Sequence, residues 1–231
     1  MLQNSPSFSI PILLEDKEIL VLVKPVGMPS QPDPTGAADV FSFVKSKRGE
    51  AYLVHRLDRM TGGVMVFAKT RRAARSLSSA MAHRDEEGGG ALRKTYLALA
   101  GGQISAPLTL SDYLLQDRRA QKSRVVSAGT AGAREARLIA TPLGFRPTSG
   151  GEATLLSVEL LTGRFHQIRA QLSAVGHPLL GDGKYGSRVK CPLALYSHSL
   201  SFPHPLSGET VSVTAPAPSG EPWQLFSDLM P

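Results

Sequence analysis

The chain has 231 residues, 42% apolar and 19% charged, which suits a soluble globular protein with a sizeable core. Lys and Arg outnumber Asp and Glu 26 to 19, and the net charge of +7 favours polyanionic partners, nucleic acid first among them. A single cysteine, Cys191, excludes an intramolecular disulfide framework and a Cys/His zinc cluster, and no apolar run reaches the ~18–20 residues of a membrane span.

The N-terminal "MLQNSPSFSIPILLEDKE" lacks the basic start and long apolar segment of a secretory signal, so a reducing, cytoplasmic setting is expected. Next, "ILL" and "ILVLV" predict two strands around the acidic turn "EDKE". Pro25, Pro29, Pro32 and Pro34 then predict an ordered surface loop over 24–36. In "AADVFSFVKSKRG", Val40, Phe41 and Val44 fall at helical spacing before a closing glycine. "AYLVHRLD" and "GVMVFAKT" predict strands on either side of a polar turn. "RRAARSLSSAMAHR" predicts a helix with Ala73, Ala74, Leu77, Ala80 and Met81 on one face and Arg72, Arg75, Ser79 and His83 on another.

Beyond the "DEEGGG" loop, "LRKTYLALAGG" reads as a strand carrying Tyr96. Residues 101–150 carry the weakest signals, with "SRVVSA" strand-like and "TPLGFRPTSGG" a loop. "ATLLSVELLTG" predicts a strand, and "RFHQIRAQLSAVG" a helix with Ile168, Leu172 and Val175 as its apolar stripe. Two closing strands joined at "HPLSGE" complete the chain. Many strands, few helices and no regular βαβ alternation predict an α+β fold: a mixed, mostly antiparallel β-sheet with flanking helices in a single domain, 1–231.

Two segments concentrate polar side chains between apolar runs. In "HRLDRMTGG" (55–63), an extended chain puts Arg56 and Asp58 on one side and His55 and Leu57 on the other. A hairpin turn would explain Asp, Thr and Gly there; a buried reactive carboxylate with its own cation would explain Arg56 and Asp58 as well. In "LLTGRFHQIRAQL", Thr162 and Gly163 occupy the expected N-cap, which puts Arg164 and His166 in the first helical turn. A cation at a helix start is unfavourable unless an anion is near, and Asp58 or a ligand phosphate would serve. His55, His166 and His177 lack metal-ligand spacing and are expected to make structural hydrogen bonds.

Together these segments resemble the RluA-type pseudouridine synthases (RsuA/RluA class). "HRLDRMTGGVMVFAK" is similar to their HRLD-x-x-T-S-G signature, and "TGRFHQIRAQLSAVGHPLLGDGKYG" to TGR-x-HQIR followed by G-x-P-x-x-GD-x-x-YG. "VLVKPVGMPSQPDP", "RKTYLAL" and "FPHPLSGE" resemble further family segments in family order, from about Ile12 to Pro218. Two departures stand out: Thr-Ser-Gly becomes Thr61-Gly62-Gly63, and a Leu-His-Ala becomes Leu195-Tyr196-Ser197. Too few residues precede the first strand for the N-terminal S4 domain of many relatives, so the chain resembles the short form.

The resemblance implies isomerisation of uridine to pseudouridine in structured RNA, ribosomal or transfer, without metal or cofactor, by a monomeric protein that contacts no membrane. Asp58 matches the catalytic aspartate, Arg164 the arginine paired with it, Arg56 the arginine of HRLD, and Tyr96 the tyrosine that stacks on the target uracil. An ionised carboxylate below the surface needs a cation beside it. Arg71, Arg72, Arg75, Arg118, Arg119 and Lys122 are the expected RNA-binding side chains, offsetting the cost of flipping a base out of its stack. Gly181-Asp182 and Tyr185-Gly186 are expected to form a supporting turn. Two rivals remain: a non-catalytic RNA-binding module or RNA chaperone on the same fold, and a glycosylase-type hydrolase needing a second carboxylate, Glu159 or Asp182.

Overall fold

In the computed structural model, residues 10–82, 91–148 and 150–231 are described. The end of the second predicted helix at His83 and Arg84, and the "DEEGGG" loop, lie outside them. Among the described residues, eleven strands form one sheet: β1 (Ile12–Glu15), β2 (Ile19–Lys24), β3 (Tyr52–Leu53), β4 (Gly62–Ala68), β5 (Arg93–Gly101), β6 (Leu108–Asp117), β7 (Lys122–Val126), β8 (Arg134–Thr148), β9 (Gly151–Leu160), β10 (Leu195–Pro203) and β11 (Thr210–Thr214). The α-helices that flank it are α1 (Val40–Arg48), α2 (Arg71–Ala82) and α3 (Gln167–Ala174).

The strand order is β1-β2-β4-β10-β5-β9-β8-β6-β7, with β3 on β4 and β11 on β10. Every pairing among the named strands is antiparallel except β4 with β10, where Gly62 lies beside Tyr196 and Gly63 beside Ser197. This is the expected α+β class.

Strands β2 and β4 are apolar on both faces because both faces are covered. Leu20, Leu22, Met65 and Phe67 pack with Val40 and Val44 of α1 and Ile168 and Leu172 of α3. Ile19, Val21, Val64 and Val66 pack on the opposite side with Ala73, Leu77 and Ala80 of α2. Each fully buried Leu, Ile or Phe contributes about 1.5–3 kcal/mol relative to exposure, so these two layers hold the sheet's centre rigid.

Helix α1 starts where the Asp39 side chain accepts the Ser42 N–H and ends at Gly49, as its sequence predicts. Thr70 caps α2 through Ala73 N–H at 3.1 Å. Helix α3 ends in a Schellman arrangement: Gly176 N–H donates to Ser173 O at 3.1 Å and His177 N–H to Leu172 O at 2.9 Å. Its expected apolar stripe is shorter than predicted, since Val175 is exposed while Ile168 and Leu172 are buried.

Three expectations need correction. Residues 141–148, predicted as a loop, form the second half of β8. There β8 pairs with β9 alone, β6 having ended opposite Ala140, and strand edges tolerate Pro142 and Pro147. "AYLVHRLD" is a strand only at Tyr52–Leu53. From His55 onward, side chains supply bonds that a ladder would have made: His55 Nε2 accepts the Val66 N–H at 3.2 Å, and Ser30 Oγ both donates to Leu57 O and accepts its N–H. Finally, α3 starts at Gln167, so Arg164 and His166 precede the helix rather than occupying its first turn.

Candidate active site

A cleft of about 820 Å³ opens on the face covered by α1 and α3. Its volume falls in the range of small-ligand sites. Asp58, Arg56, Tyr96 and Arg164 all line it, so the fold gathers these four predicted residues into one place. The alternation expected for HRLD holds: His55 and Leu57 are buried, Arg56 is exposed and Asp58 half-buried.

Two loops hold Asp58. Its own carbonyl accepts the Thr61 N–H at 3.0 Å, closing a turn. The neighbouring Arg59 carbonyl accepts from Gly27 N–H at 2.8 Å and from Lys24 Nζ at 3.1 Å. Lys24 is fully buried, and its ammonium also donates to the carbonyls of Pro25 (2.8 Å) and Met28 (2.6 Å). Three acceptors for three N–H donors make the lysine a clamp between the proline-rich loop and the Asp58 loop. Burial pushes its pKa down to about 8, against the pull of Asp58, which favours the charged form.

The arginine nearest Asp58 differs from the one expected. Arg164 Nε donates to the Glu135 carbonyl at 2.7 Å, and the contact to Asp58 Oδ2 comes from Arg169 Nη1 at 3.5 Å. The reason is the late helix start. Gln167 Oε1 accepts from Arg164 N–H (2.9 Å) and Thr162 Oγ1 (2.8 Å), which folds "TGRF" into a loop ahead of the helix. Arg169 then lies within α3, three residues before buried Leu172 and on the packed side. That spacing is the signal in the sequence: an arginine on an apolar helical face needs a buried acceptor.

Its acceptor is Asp182, whose side chain is 1% exposed. Arg169 Nε donates to one carboxylate oxygen at 2.7 Å and Nη2 to the other at 2.8 Å. Arg169 Nη1 also lies 2.8 Å from His166 Nε2. A guanidinium only donates, so Nε2 is the acceptor and the imidazole is neutral with its proton on Nδ1. That proton faces Tyr185 Oη at 3.1 Å, which also accepts the Ser123 N–H at 2.8 Å. Burial and the Arg169 charge push His166 down to about 3, in accord with this tautomer. His166 therefore brings no positive charge to Asp58, although its Nε2 lies 3.4 Å from Oδ2. His166 also has a left-handed backbone, φ 52 and ψ 30, an uncommon conformation for a residue with a side chain.

The histidine expectation holds in part. His55 bonds to β4, and His177 Nδ1 lies 2.8 Å from Gly101 O, whereas His166 belongs to the cleft. The turn around Asp182 and Tyr185 supports the site, as expected, through Arg169 and His166.

Asp58 has a quarter of its side-chain surface open to the cleft. Burial raises its pKa above the ordinary carboxylate value; Arg169 and Lys24 pull it down and Asp182 adds to the rise. The result is a carboxylate with Arg169 at 3.5 Å and Lys24 as a second cation, facing a cavity, with Tyr96 of β5 lining the same space. Such a group can attack an electrophilic carbon or remove a proton from a bound molecule.

The predicted basic clusters separate. Arg118 and Arg119 are exposed at the turn between β6 and β7, and Lys122 lies over the Tyr185 ring at 4.8 Å. Neighbouring Gln121 lines the cleft, so this hairpin stands at its rim. Arg71, Arg72 and Arg75 on α2 do not line it. Arg72 pairs with Glu18 at 2.9 Å and Arg71 Nε donates to Tyr52 Oη at 3.2 Å.

Residues 18–174 match the family model described as RNA pseudouridylate synthase. A Bacillus subtilis protein described as an uncharacterized RNA pseudouridine synthase, YhcT, is 31% identical over 219 residues, covering 90% of this chain and 68% of its own. The ribosomal large subunit pseudouridine synthase C of Pasteurella multocida is 32% identical, covering 89% and 64%, and that of Escherichia coli K12 33%, covering 95% and 70%. This chain thus spans about two thirds of the length of these relatives. Among solved structures, human RNA pseudouridylate synthase domain containing 1 superposes with a TM-score of 0.74 at 23% identity, covering 94% of this chain and 87% of its own, which shows a shared fold. The match over most of the chain places this protein in the RNA pseudouridylate synthase family, whose members are isomerases.

Proposed function

We propose that this protein isomerises uridines to pseudouridine in structured RNA, with Asp58 as the catalytic group. The observation that carries the reading is the Asp58 carboxylate in the cleft wall, with Arg169 at 3.5 Å on one side and a quarter of its side-chain surface open to a ligand on the other. Isomerisation breaks the N1–C1′ glycosidic bond, turns the uracil and rejoins it through C5. Asp58 either attacks C1′ or removes the C2′ proton, and both need the ionised form. Tyr96 offers its ring to the extruded uracil, and Arg56 in the cleft wall helps hold the site open around the flipped nucleotide. The chemistry neither oxidises nor reduces, so the site residues suffice without a cofactor.

Reaching the base costs a few kcal/mol of unstacking. Arg118, Arg119 and Lys122 on the rim hairpin supply phosphate contacts that offset it. Two of the relatives bear names that specify the ribosomal large subunit, which makes ribosomal RNA the first substrate to try, with transfer RNA second. Against the hydrolase reading, neither Asp182 nor Glu159 lines the cleft, and both oxygens of Asp182 are engaged by Arg169.

The test is tritium release from RNA labelled at uracil C5. Release by the wild type and none by Asp58→Ala, with RNA binding retained by the variant, is the expected result. No release from either RNA class with tight binding intact would favour the binding module; free uracil would favour the hydrolase.

A further inference from the structure

Arg169 serves two carboxylates unequally. Asp182 takes a two-point contact at 2.7 and 2.8 Å, while Asp58 is left with one contact at 3.5 Å. The remaining Nη1 bond goes to neutral His166 at 2.8 Å. Three buried or half-buried groups therefore share one positive charge against two negative ones, and Lys24 is the next cation in reach of Asp58. Two parallel charge-assisted bonds fix a guanidinium in plane and direction, so Arg169 cannot turn its fork toward Asp58 without abandoning Asp182. The Tyr185 ring, 5.0 Å from the guanidinium carbon, packs beside it.

We propose that Asp182 is a positioning residue: by holding the fork of Arg169, it keeps that guanidinium from closing on Asp58 and leaves the Asp58 carboxylate free to react. The inference rests on the assignment of Asp58 as the catalytic group. A carboxylate clamped two-point by arginine would be ionised but weakly nucleophilic and weakly basic, since its lone pairs would be engaged. One held at 3.5 Å by a shared cation, with a quarter of its side-chain surface open, keeps lone pairs free toward the cleft. Asp182 in turn is buried beside its arginine, where an unpaired carboxylate would be strongly unfavourable, which makes the sharing persistent.

An anchor that merely keeps Arg169 in place predicts a different response to substitution. In Asp182→Asn, the amide can accept from one guanidinium N–H but opposes the other with its own donors, so the fork loosens. If Asp182 withholds Arg169, the freed guanidinium closes on Asp58 and favours its charged form. If Asp182 is only an anchor, the guanidinium swings away, its loss offsets the loss of the Asp182 charge, and Asp58 ionises no more readily than before. The charged and titratable groups around Asp58 are Arg169 of α3, His166 and Arg164 in the loop before it, Arg56 and Arg59 beside Asp58, Asp33 in the proline-rich loop, Lys24 at the end of β2, Asp182 and Lys184 in the turn after α3, and Lys94 and Tyr96 lining the cleft from β5. All but Asp182 stay unchanged between the two proteins.

The experiment measures single-turnover tritium release against pH for the wild type and Asp182→Asn, with circular dichroism to establish folding. The expected result is an acid limb moved down by about one pH unit and a plateau slowed about three- to tenfold, with RNA affinity retained. A limb moved up, or unmoved, overturns the proposal. A second measurement needs no variant at position 182: carboxyl-carbon NMR of aspartate-labelled wild type, with Asp58→Asn to assign the resonance. Asp58 titrating above about 3.9 is expected, and titration below it overturns the proposal because Arg169 would then dominate. Turnover retained by Asp58→Asn would instead break the underlying catalytic assignment, and the NMR titration would still report on the carboxylate pair.

Discussion

Gly62 and Tyr196 lie side by side on the parallel pairing of β4 with β10, and a Cβ on Gly62 would stand 3.4 Å from the Tyr196 ring. These are two of the three positions, with Ser197, at which the sequence departs from the Thr-Ser-Gly and Leu-His-Ala segments it resembles. The departures are thus one local exchange: a larger ring on β10 faces a missing side chain on β4. The next pair along, Gly63 and Ser197, is tighter still. Gly63 has φ +114, and a Cβ there would meet the Ser197 carbonyl oxygen at 2.1 Å, so only glycine lets the two strands approach.

Gly62→Ser is expected to cost about 1–3 kcal/mol, because its Cβ would also meet Val26 at 2.9 Å and the Lys24 carbonyl at 3.3 Å. Val26 is 55% exposed and can turn aside, whereas Tyr196 is packed. Combining Gly62→Ser with Tyr196→His should therefore cost less than the sum of the single changes, by more than about 0.5 kcal/mol. Urea denaturation of the four proteins in the cycle measures the coupling, and strict additivity would show that the two departures are independent.

Lys24→Met keeps the length of the stem and removes the ammonium that three carbonyls share. Two of those carbonyls sit in the proline-rich loop, at Pro25 and Met28, and the third belongs to Arg59 beside Asp58. Stranding buried acceptors costs about 1–3 kcal/mol each, so a fall of several kcal/mol in unfolding free energy is expected. Turnover should fall further than affinity for RNA, because the change reaches the Asp58 loop and leaves the rim hairpin alone. A turnover number within about twofold of wild type would mean that the Asp58 loop holds its shape without the clamp.

The side-chain composition of the site is legible in the sequence, but its wiring is not. HRLD reads as an alternating segment because alternation needs only extended backbone, and the bonds from His55 and Ser30 preserve it without a continuous ladder. Arg164 misleads because helix starts are judged from capping residues. Thr162 looks like a cap, yet its hydroxyl serves the Gln167 side chain and the helix begins after the left-handed His166. The Arg169–Asp182 pair joins residues thirteen apart across a turn, and no local propensity reports such a contact. The second half of β8 is hidden by its prolines and glycine, which mark loops in a single sequence but are tolerated where a strand has only one neighbour.

Charge on the rim hairpin should govern RNA affinity, and charge on α2 should matter less. Arg118→Ala with Arg119→Ala removes two exposed cations at the cleft rim. Affinity for RNA should weaken and its dependence on salt should flatten, by about 0.7–0.9 in logarithmic slope for each phosphate no longer neutralised. Arg72→Ala breaks an ion pair with Glu18 on a side chain 61% exposed, and is expected to change stability by less than about 1 kcal/mol. Filter binding across a salt series distinguishes the two surfaces. An unchanged slope in the hairpin variant, with a flattened one in Arg71→Ala and Arg75→Ala, would move the RNA to α2.

Asp58→Asn should remove activity and raise stability near neutral pH. Burial lifts the native pKa of Asp58 above its ordinary 3.8, so the folded protein binds this proton more tightly than the unfolded chain does. Stability from this group is then complete below the ordinary value and is lost as pH rises through the native one. Above the native value the wild type bears the cost of a desolvated carboxylate, and the asparagine variant does not. Arg169 keeps its two-point contact with Asp182 in the variant, so the substitution strands no buried cation. The melting temperature of Asp58→Asn should therefore exceed that of the wild type at neutral pH, and the gap should close as pH falls through the native pKa. Calorimetry at both ends of that window checks the sign. A variant less stable than the wild type at neutral pH would mean that the Arg169 and Lys24 charges outweigh burial, and that Asp58 is held as an ordinary ion pair.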